Sequence, residues 1–453
     1  MHTKILFIIA IFGAFSATLA EDLFERQFTP INSLTESLLP KSKPQISSLS
    51  DTATVFSATS SSSETLANSS SATPANESSS SELFAMSSAA PAKNSASSVK
   101  GKPNPYNLPD ELMPLWDSMT MRQKAAQMIM VFLTTSQFII ENEIGGVLIT
   151  GKHFRESEDY LKRLSEIKSN LRIPLFIATD QEGGAVNRLA SYSDRWRHTP
   201  SAREMRLMDT AKIRSISNNI AKGIKTLKVN MNLAPVLDPA KDYREKDSFM
   251  EESKRSWGTD TTNAYKVRSF VQGMLENGII CVSKHFPGYD SWTNSDHQIA
   301  ISASPREKIE KNVQFFKTLA DDIPVTMMSS VHFLRISSRP AVFDKNIVKM
   351  ARRGHPDMVV LTDDLWGTSL RAWASGKDRL PPRKQYPDKD FKKLVTAIID
   401  AGNDILMISY TSKAKDMLDI MMELSDKSSK YKRRIEESAA RILKLKYKAG
   451  ILK

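Results

Sequence analysis

Residues 278–297 read GIICVSKHFPGYDSWTNSDH, and most of the candidate chemistry of the chain lies in this stretch. A short apolar run, 279–282, leads to two cationic side chains, Lys284 and His285, and a loop rich in Gly, Asp, Ser and Asn then continues to His297. An apolar run followed by turn-forming residues predicts a β-strand that ends in a functional loop. A strand-end lysine and a loop histidine can also be ordinary solvated groups, so the rest of the chain has to decide between these interpretations.

After Pro103 the sequence alternates short apolar runs with amphipathic stretches, and eight of the runs are candidate strands. Most runs are followed by a helix-like segment, as at 158–169, 211–227 and 306–320. Parallel strands need crossover helices and eight of them can close a sheet, so the pattern predicts an α/β fold, a (β/α)8 TIM-type barrel. The eight runs are 128–133, 145–149, 174–179, 229–237, 279–283, 324–330, 358–362 and 404–409.

The first hundred residues differ in composition from the rest. Residues 1–20 have a short polar start, an apolar centre and small residues before Glu21, which is the layout of a cleaved secretory signal. Residues 21–105 are dominated by Ser, Ala and Thr and predict a disordered tether, because such a composition cannot offset the entropy of ordering. A barrel domain over 106–453 follows. We therefore expect an exported protein, secreted or periplasmic, with no stable membrane insertion after signal cleavage.

The formal net charge of the chain is +12. In an exported protein this charge suits contact with an anionic cell-wall polymer, and export argues against nucleic acid as a partner. The alternative is a solvated basic surface without a specific partner. The single cysteine, Cys281, lies in a predicted strand, so the sequence offers no internal disulfide.

Ionisable residues stand at the ends of five predicted strands. In a barrel these ends open on one face, so the groups are expected to converge on a single mouth. One aspartate of this kind could be a helix cap, but five strand ends together predict a site. The residues are Asp180, Asp238, Lys284 with His285, His332, and Asp363 with Asp364.

Three of these strand ends carry longer motifs. Residues 180–188 read DQEGGAVNR, residues 284–288 read KHFPG and residues 361–365 read LTDDL. With these motifs the chain resembles the catalytic domain of glycoside hydrolase family 3, in particular its β-N-acetylglucosaminidase branch, over about residues 109–452. Weaker matches follow in the same order at 233–238, 255–258, 328–332 and 401–404.

The resemblance implies a retaining glycosidase that hydrolyses terminal β-linked N-acetylglucosamine from wall-derived or chitin-like saccharides, without metal or cofactor. Retaining hydrolysis needs an anionic nucleophile and a proton donor. Asp363 matches the family's nucleophile and His297 matches the loop histidine that is the acid/base of this branch, while Asp364 is expected to serve the local structure. The substrate-binding positions that match are Asp180, Arg188, Arg255, Lys284 and His285.

The acid/base loop departs from the family pattern. The family's Asp-Ser-His reads Ser295-Asp296-His297 here, so the carboxylate that should orient the histidine has moved by one residue. Loss of this partner costs rate, although a histidine can act alone near neutral pH. Three outcomes are open: Asp296 reaches the ring, Asp290 takes its place, or catalysis is impaired.

Further departures are Ala185, where the family commonly has arginine, and Tyr289 with Asp290, where it has a His-Gly pair. Trp292 and Trp366 flank the expected site and are candidates either for stacking on sugar faces or for packing. Two alternative functions therefore stay open. One is a catalytically impaired saccharide-binding or wall-associated protein on the same barrel, and the other is a β-glucosidase, β-xylosidase or phosphorylase of the same family.

Overall fold

The computed structural model describes residues 104–377, 380 and 385–453. The predicted secretory signal and all but the last two residues of the predicted tether lie outside this range. Eight parallel strands form the main sheet of the described part of the chain. They are β1 (Ile129–Phe132), β2 (Gly146–Ile149), β3 (Phe176–Thr179), β4 (Met231–Asn232), β5 (Ile280–Phe286), β6 (Val325–Met328), β7 (Val359–Thr362) and β8 (Leu406–Ile408).

The sheet closes into a barrel. Its strand order is β7-β6-β5-β4-β3-β2-β1-β8, so neighbours in the sheet follow the order of the chain. A parallel bridge between Leu361 of β7 and Ile405, just before β8, joins the two edges. There the backbone N–H of Thr362 donates to the carbonyl of Ile405 at 2.9 Å. The predicted (β/α)8 TIM-type barrel is therefore confirmed.

Each predicted apolar run contains one of the strands, since residues buried on both faces of a parallel sheet read as continuous apolar segments. Two strands differ in length from the prediction. β4 keeps only two regularly paired residues, because Pro235 has no N–H for the ladder, and a single bridge from Val236 to Lys284 continues the contact with β5. β5 runs on through Phe286, so Lys284 and His285 lie within the strand.

Helices follow every strand and cover the outside of the barrel. In the described ranges no helix combines the length and apolar character that crossing a bilayer requires. Short 3-10 helices lie at Asp110–Leu112, Arg188–Ser191, Asp194–Trp196, Thr261–Asn263 and Ala341–Phe343. The α-helices are Met113–Ser118, Met121–Gln127, Ser136–Glu141, Gly151–Arg155, Ser157–Asn170, Ala202–Met205, Thr210–Thr226, Phe249–Glu252, Ala264–Leu275, Arg306–Thr318, Lys345–Ala351, Thr368–Ser375, Asp388–Ala401, Ser412–Lys427 and Ser429–Lys448.

A lysine of the last helix is buried beneath the N-terminal ends of the first strands. The ammonium of Lys446 donates to Gln127 Oε1 at 2.7 Å and to the carbonyl of Gly145 at 2.9 Å. It also lies 4.9 Å from the centre of the Phe176 ring. Burial lowers the pKa of Lys446 to about 7. These two hydrogen bonds connect the last helix to the residues that precede β1 and β2.

Candidate active site

The C-terminal ends of the strands gather the ionisable residues that the sequence singled out. Asp180 directly follows β3, Lys284 and His285 lie near the end of β5, and Asp363 directly follows β7. The charges of His285 and Lys284 both act on the carboxyl of Asp363, and Lys284 Nζ lies 2.8 Å from Asp180 Oδ1. The ends of β3, β5 and β7 therefore bring these residues together, and their roles in a site stay predictions.

A buried ion network forms one wall of this mouth. The ammonium of Lys284, which is 2% exposed, lies 2.8 Å from Asp180 Oδ1 and 2.6 Å from Glu182 Oε1. Arg255 grips the same glutamate through two parallel bonds, with Nε 2.8 Å from Oε2 and Nη2 2.9 Å from Oε1. Glu182 therefore contacts two cations at once, Asp180 supplies the second negative charge, and the network fixes where Lys284 and Asp180 meet the mouth.

The network holds its members charged. Burial by itself raises the pKa of Glu182, but the charges of Arg255 and Lys284 outweigh it and lower that pKa to about 2. Burial lowers the pKa of Lys284 and of Arg255, and the neighbouring carboxylates reverse this so that both pKa values end above their ordinary range. Sequence reasoning missed Glu182, although it stands two residues from Asp180 within the first motif.

A small hairpin aims Glu182 inward. Its strands, Gln181–Gly183 and Val186–Asn187, pair antiparallel. Gly183 has φ +95°, and a Cβ on it would lie 2.0 Å from the carbonyl oxygen of Pro200, so only glycine fits this turn. At the far end of the hairpin Arg188 is partly exposed, with Nη2 3.9 Å from Asp180 Oδ2.

Asp238 orients His285. The Nδ1–H of His285 donates to Asp238 Oδ2 at 2.6 Å. The other oxygen, Oδ1, accepts the backbone N–H groups of His285 and Tyr289 at 2.8 Å and 2.7 Å. Since Asp238 is fully buried, the contact fixes the imidazole ring and leaves Nε2 as the nitrogen available to a ligand. The sequence placed Asp238 at the mouth but gave it no role.

Asp363 accepts a hydrogen bond at each of its carboxylate oxygens. Oδ1 accepts the backbone N–H of Asp364 at 2.8 Å, and the hydroxyl of Ser330 donates to Oδ2 at 3.3 Å. Burial raises the pKa of Asp363, and the negative charge of Asp296 adds to the rise, while the charge of His285 opposes it. The neighbouring carboxylates thus share one desolvated region.

Asp364 serves the local structure, as expected. Its Oδ1 accepts the backbone N–H groups of Trp366 at 3.0 Å and Ser409 at 2.9 Å. The first bond shapes the turn after β7, and the second ties that turn to the end of β8. Asp364 is therefore occupied in holding the backbone around Asp363.

The acid/base loop lies on the start of the helix that follows β7. The carbonyl of Ser295 accepts the N–H of Ser369 at 3.0 Å, and the carbonyl of Asp296 accepts the N–H of Thr368 at 3.2 Å. The docking brings Asp296 and His297 to the same strand end as Asp363.

The two candidate partners of His297 differ in their surroundings. Asp290 is buried, its Oδ2 accepts the hydroxyls of Ser302 at 3.0 Å and of Ser304, and its Oδ1 meets no donor among the described residues. Partial burial and the charge of Asp364 raise the pKa of Asp296, and the charge of His297 acts in the opposite direction. Asp296 therefore interacts electrostatically with His297, whereas Asp290 is bonded to Ser302 and Ser304; that Asp296 orients the ring stays a prediction.

Three residues near the expected mouth do not take part in this convergence. His332, predicted to join it, directs Nε2 to the carbonyl of Ser337 at 3.1 Å. Trp366 is buried and stacks on Tyr410, with ring centres 4.9 Å apart, so its role is packing. Trp292 is 52% exposed and remains available to a ligand. In the part of the chain that the structure describes, no cluster of three or more His, Cys, Asp or Glu residues is arranged to hold a metal ion.

Comparison with known proteins places this site in a family context. The family model described as "Glycosyl hydrolase family 3 N terminal domain" matches residues 120–445. The chain is 27% identical over 317 residues to the beta-hexosaminidase LpqI of Mycobacterium tuberculosis, which covers 66% of this chain and 75% of that protein. It is 26% identical over 238 residues to a beta-hexosaminidase of Pseudomonas aeruginosa, covering 51% of this chain and 68% of that protein.

Solved structures of low sequence identity share the fold. The beta-N-acetylhexosaminidase of Beutenbergia cavernae superposes with a TM-score of 0.59 at 22% identity, covering 73% of this chain and 99% of that chain. M. tuberculosis LpqI gives a TM-score of 0.60 at 22% identity, covering 72% of this chain and 94% of that chain.

Proposed function

Because the chain belongs to glycosyl hydrolase family 3, we propose that it is a retaining β-N-acetylhexosaminidase that removes terminal β-linked N-acetylglucosamine. One observation carries the proposal: the docked loop with Asp296 and His297 reaches the same strand end as the buried carboxylate of Asp363. The names of the relatives, which include beta-hexosaminidases of Mycobacterium tuberculosis and Pseudomonas aeruginosa, agree with this chemistry.

In the proposed reaction Asp363 is the nucleophile. One carboxylate oxygen attacks the anomeric carbon and forms a covalent glycosyl-enzyme, while the glycosidic oxygen leaves with a proton. The contacts from Ser330 and from the backbone of Asp364 hold the carboxylate in one orientation before the attack. Its raised pKa implies that the nucleophile loses activity by protonation at a higher pH than an ordinary aspartate would.

His297 supplies and removes the proton. It donates to the leaving oxygen in the first step and accepts a proton from water in the second, when the water oxygen attacks the anomeric carbon and releases Asp363. Asp296 stabilises the imidazolium form through the interaction of the two charges. In this proposal Asp296 performs from position 296 the task that the family gives to position 295.

The buried network binds the sugar. Asp180 offers an acceptor and Lys284 a donor for ring hydroxyls, His285 contributes its Nε2, and Arg188 lies at the rim. Arg255 donates to Glu182 through both Nε and Nη2 and so holds that side chain in place. Its Nη1 is the nitrogen that remains available to a substrate.

The setting of the activity belongs to the same proposal. The compositions of residues 1–20 and 21–105 support an exported enzyme, secreted or periplasmic, that carries a Ser/Ala/Thr-rich tether and acts on wall-derived or chitin-like saccharides. The charge of +12 supports contact with an anionic wall polymer.

Hydrolysis of 4-nitrophenyl β-N-acetylglucosaminide by the full chain tests the proposal. We expect turnover that falls at least about 1000-fold in Asp363→Asn and about 100-fold or more in His297→Ala. With the Asp363→Gly variant, added azide should restore turnover and give a glycosyl azide, which a structural role of Asp363 would not produce.

Three results would contradict the proposal in different ways. Binding of N-acetylglucosamine without turnover would assign the impaired saccharide-binding protein. Faster turnover of the β-glucoside or β-xyloside would assign one of the related glycosidases. Turnover that requires phosphate and yields a sugar phosphate would assign the phosphorylase.

A further inference from the structure

A strongly basic pocket lies at the opposite end of the barrel from Asp363. It surrounds Gly402, which ends the helix Asp388–Ala401 and leads into β8, and it therefore opens at the N-terminal ends of the strands. The pocket encloses about 300 Å³, and seven of its thirteen lining residues are lysine or arginine against two carboxylates, Asp400 and Glu437. The cations are Lys345, Lys349, Arg352, Lys430, Arg433, Arg434 and Arg441.

Three of these arginines share one buried carboxylate at the base of the pocket. Asp404 accepts an Nη2–H of Arg352, an Nη2–H of Arg434 at 2.9 Å and an Nη1–H of Arg441 at 3.1 Å. Its Oδ2 also accepts the backbone N–H of Val360 at 3.0 Å. Arg434 is also paired with Glu437, with Nη1 3.1 Å from Oε2, so two carboxylates face three arginines and one positive charge in this group stays unbalanced.

The donors of two arginines are incompletely used. Arg434 Nε is buried and meets no acceptor among the described residues. Arg352 donates through Nε and Nη2, and its Nη1 has no acceptor in the described part of the chain. Both unused nitrogens border Gly402, since a Cβ at that position would lie 3.6 Å from Arg352 Nη1 and 3.9 Å from Arg434 Nε. Two N–H donors therefore adjoin a lining residue of a cationic pocket.

The geometry favours a tetrahedral oxyanion over a carboxylate. A carboxylate is best bound by the paired N–H groups along one arginine edge, but Asp404 and the carbonyl of Gly402 already occupy the Nη2 groups of Arg352 and Arg434. The remaining donors are single N–H groups from separate arginines and the ammonium of Lys349. A phosphate presents oxygens in several directions and can accept from all of them.

The basic surface extends beyond one phosphate. A groove of about 810 Å³ shares Lys345 and Lys430 with the pocket, and six of its fourteen lining residues are lysine or arginine. Lys345 and Lys349 are exposed and have no ion-pair partner among the described residues. We propose that the pocket and this groove bind successive phosphate groups of a linear polyanion of the polyphosphate type, on the face of the barrel opposite the catalytic mouth. The binding would retain the protein on the polymer without occupying the sugar site, and it does not depend on the proposed hydrolase activity.

Binding of fluorescently labelled long-chain polyphosphate to the full chain tests the proposal. The pocket variant is Lys345→Gln with Lys349→Gln. Its control is Lys168→Gln with Lys212→Gln, which changes the net charge equally on two other exposed lysines of the helices Ser157–Asn170 and Thr210–Thr226. We expect wild-type binding that weakens as salt rises, and roughly fivefold weaker binding for each pocket lysine removed. The control should bind as the wild type does, and glycoside hydrolysis should be equal in all three proteins.

Three results would overturn the proposal. Equal losses in the pocket variant and the control would show that only the net charge attracts the polymer. Binding to vesicles rich in anionic lipid, with none to polyphosphate at the same salt concentration, would assign a membrane surface instead. Absence of binding at low salt by wild-type protein whose fold is verified by circular dichroism would remove the site altogether.

Discussion

Replacement of Glu182 by glutamine should destabilise the protein by about 3 kcal/mol at pH 7. Glutamine keeps the size of the side chain but leaves Lys284 and Arg255 as two buried cations without their shared anion. The pKa of Glu182 is lowered from 4.5 to about 2. Each pKa unit corresponds to about 1.4 kcal/mol of differential stability, which gives about 3 kcal/mol. Removal of one partner from a buried ion pair costs a similar amount.

The lowered pKa of Glu182 also determines how the difference in unfolding free energy between the wild type and Glu182→Gln depends on pH. Because the pKa of Glu182 is lower in the folded protein, its contribution is complete above pH 4.5 and is lost as the pH falls toward 2. The glutamine variant has no such group to protonate. The gap in unfolding free energy between the two proteins should therefore narrow by about 1.4 kcal/mol between pH 7 and pH 3.5. Urea unfolding of both proteins at pH 7, 5.5 and 3.5 measures it.

Glu251→Gln is the matched control. Glu251 is also a buried carboxylate between two arginines, with Oε1 3.1 Å from Arg203 Nε and 2.8 Å from Arg206 Nη2, but it does not contact Lys284. Both variants should lose stability. Only Glu182→Gln should also lower kcat/KM, because Lys284 then loses one of the two carboxylates that position it.

The reasoning fails if the stability gap of Glu182→Gln at pH 7 is below about 1 kcal/mol, or if the gap stays constant on acidification. The first result would mean that the two cations relax toward water once the glutamate is gone. A constant gap would mean that the carboxylate titrates alike in the folded and unfolded chains. An equal loss of kcat/KM in the Glu251 control would assign the loss of activity to general instability.

Three further predictions concern positioning and burial. Asp238→Asn removes the carboxylate that accepts the Nδ1–H of His285, a charge-assisted hydrogen bond worth about 2 kcal/mol. We expect kcat/KM to fall roughly thirtyfold. A variant that loses stability but keeps its kcat/KM would argue against this positioning role. The double variant Ser295→Asp with Asp296→Ser should raise kcat most for glycosides with poor leaving groups, whereas a uniform loss would show that the carboxylate at 296 is already well placed. Burial lowers the pKa of Lys446 to about 7, so the unfolding free energy of the wild type should rise by about 2 kcal/mol between pH 7 and pH 9. Urea unfolding of Lys446→Met should not show this rise.

The barrel was predictable because its strands are buried on both faces. Continuous buried runs such as VVLT of β7 are typical of parallel strands, and parallel strands deliver whatever follows them to one mouth. Strand lengths were less predictable. The pairing of Lys284 and His285 within β5 depends on the chain around Pro235, which lies about 50 residues earlier in the sequence.

The roles of individual carboxylates were harder to predict. Asp180 and Glu182 stand in one motif, and their separation into an accessible and a buried acid depends on the tight approach of Gly183 to Pro200. Asp238 was expected at the mouth, but its hold on His285 appears only when the chain after β4 lies beside β5. Such contacts join residues that local sequence patterns treat separately.

The uncertainty over the acid/base loop had the same cause. From the sequence, Asp290 and Asp296 were equal candidates to assist His297. Two serines hold Asp290 in the interior, while the backbone carbonyl of Asp296 accepts the N–H of Thr368 near the strand end that carries Asp363. Neither contact could be inferred from spacing, because the partners come from other loops of the barrel.

The two ends of the barrel use arginine in different ways. At the mouth, Arg255 and Lys284 are balanced by Glu182 and Asp180, so the charges are matched and the network can be rigid without a ligand. At the other end, Asp404 faces three arginines, and of these only Arg434 has a second carboxylate partner, Glu437. A structural ion pair needs only enough positive charge to neutralise its carboxylate. Each additional buried guanidinium adds a desolvation penalty and repulsion between like charges. Stability therefore accounts poorly for the surplus, and an anion that enters from the pocket would balance it.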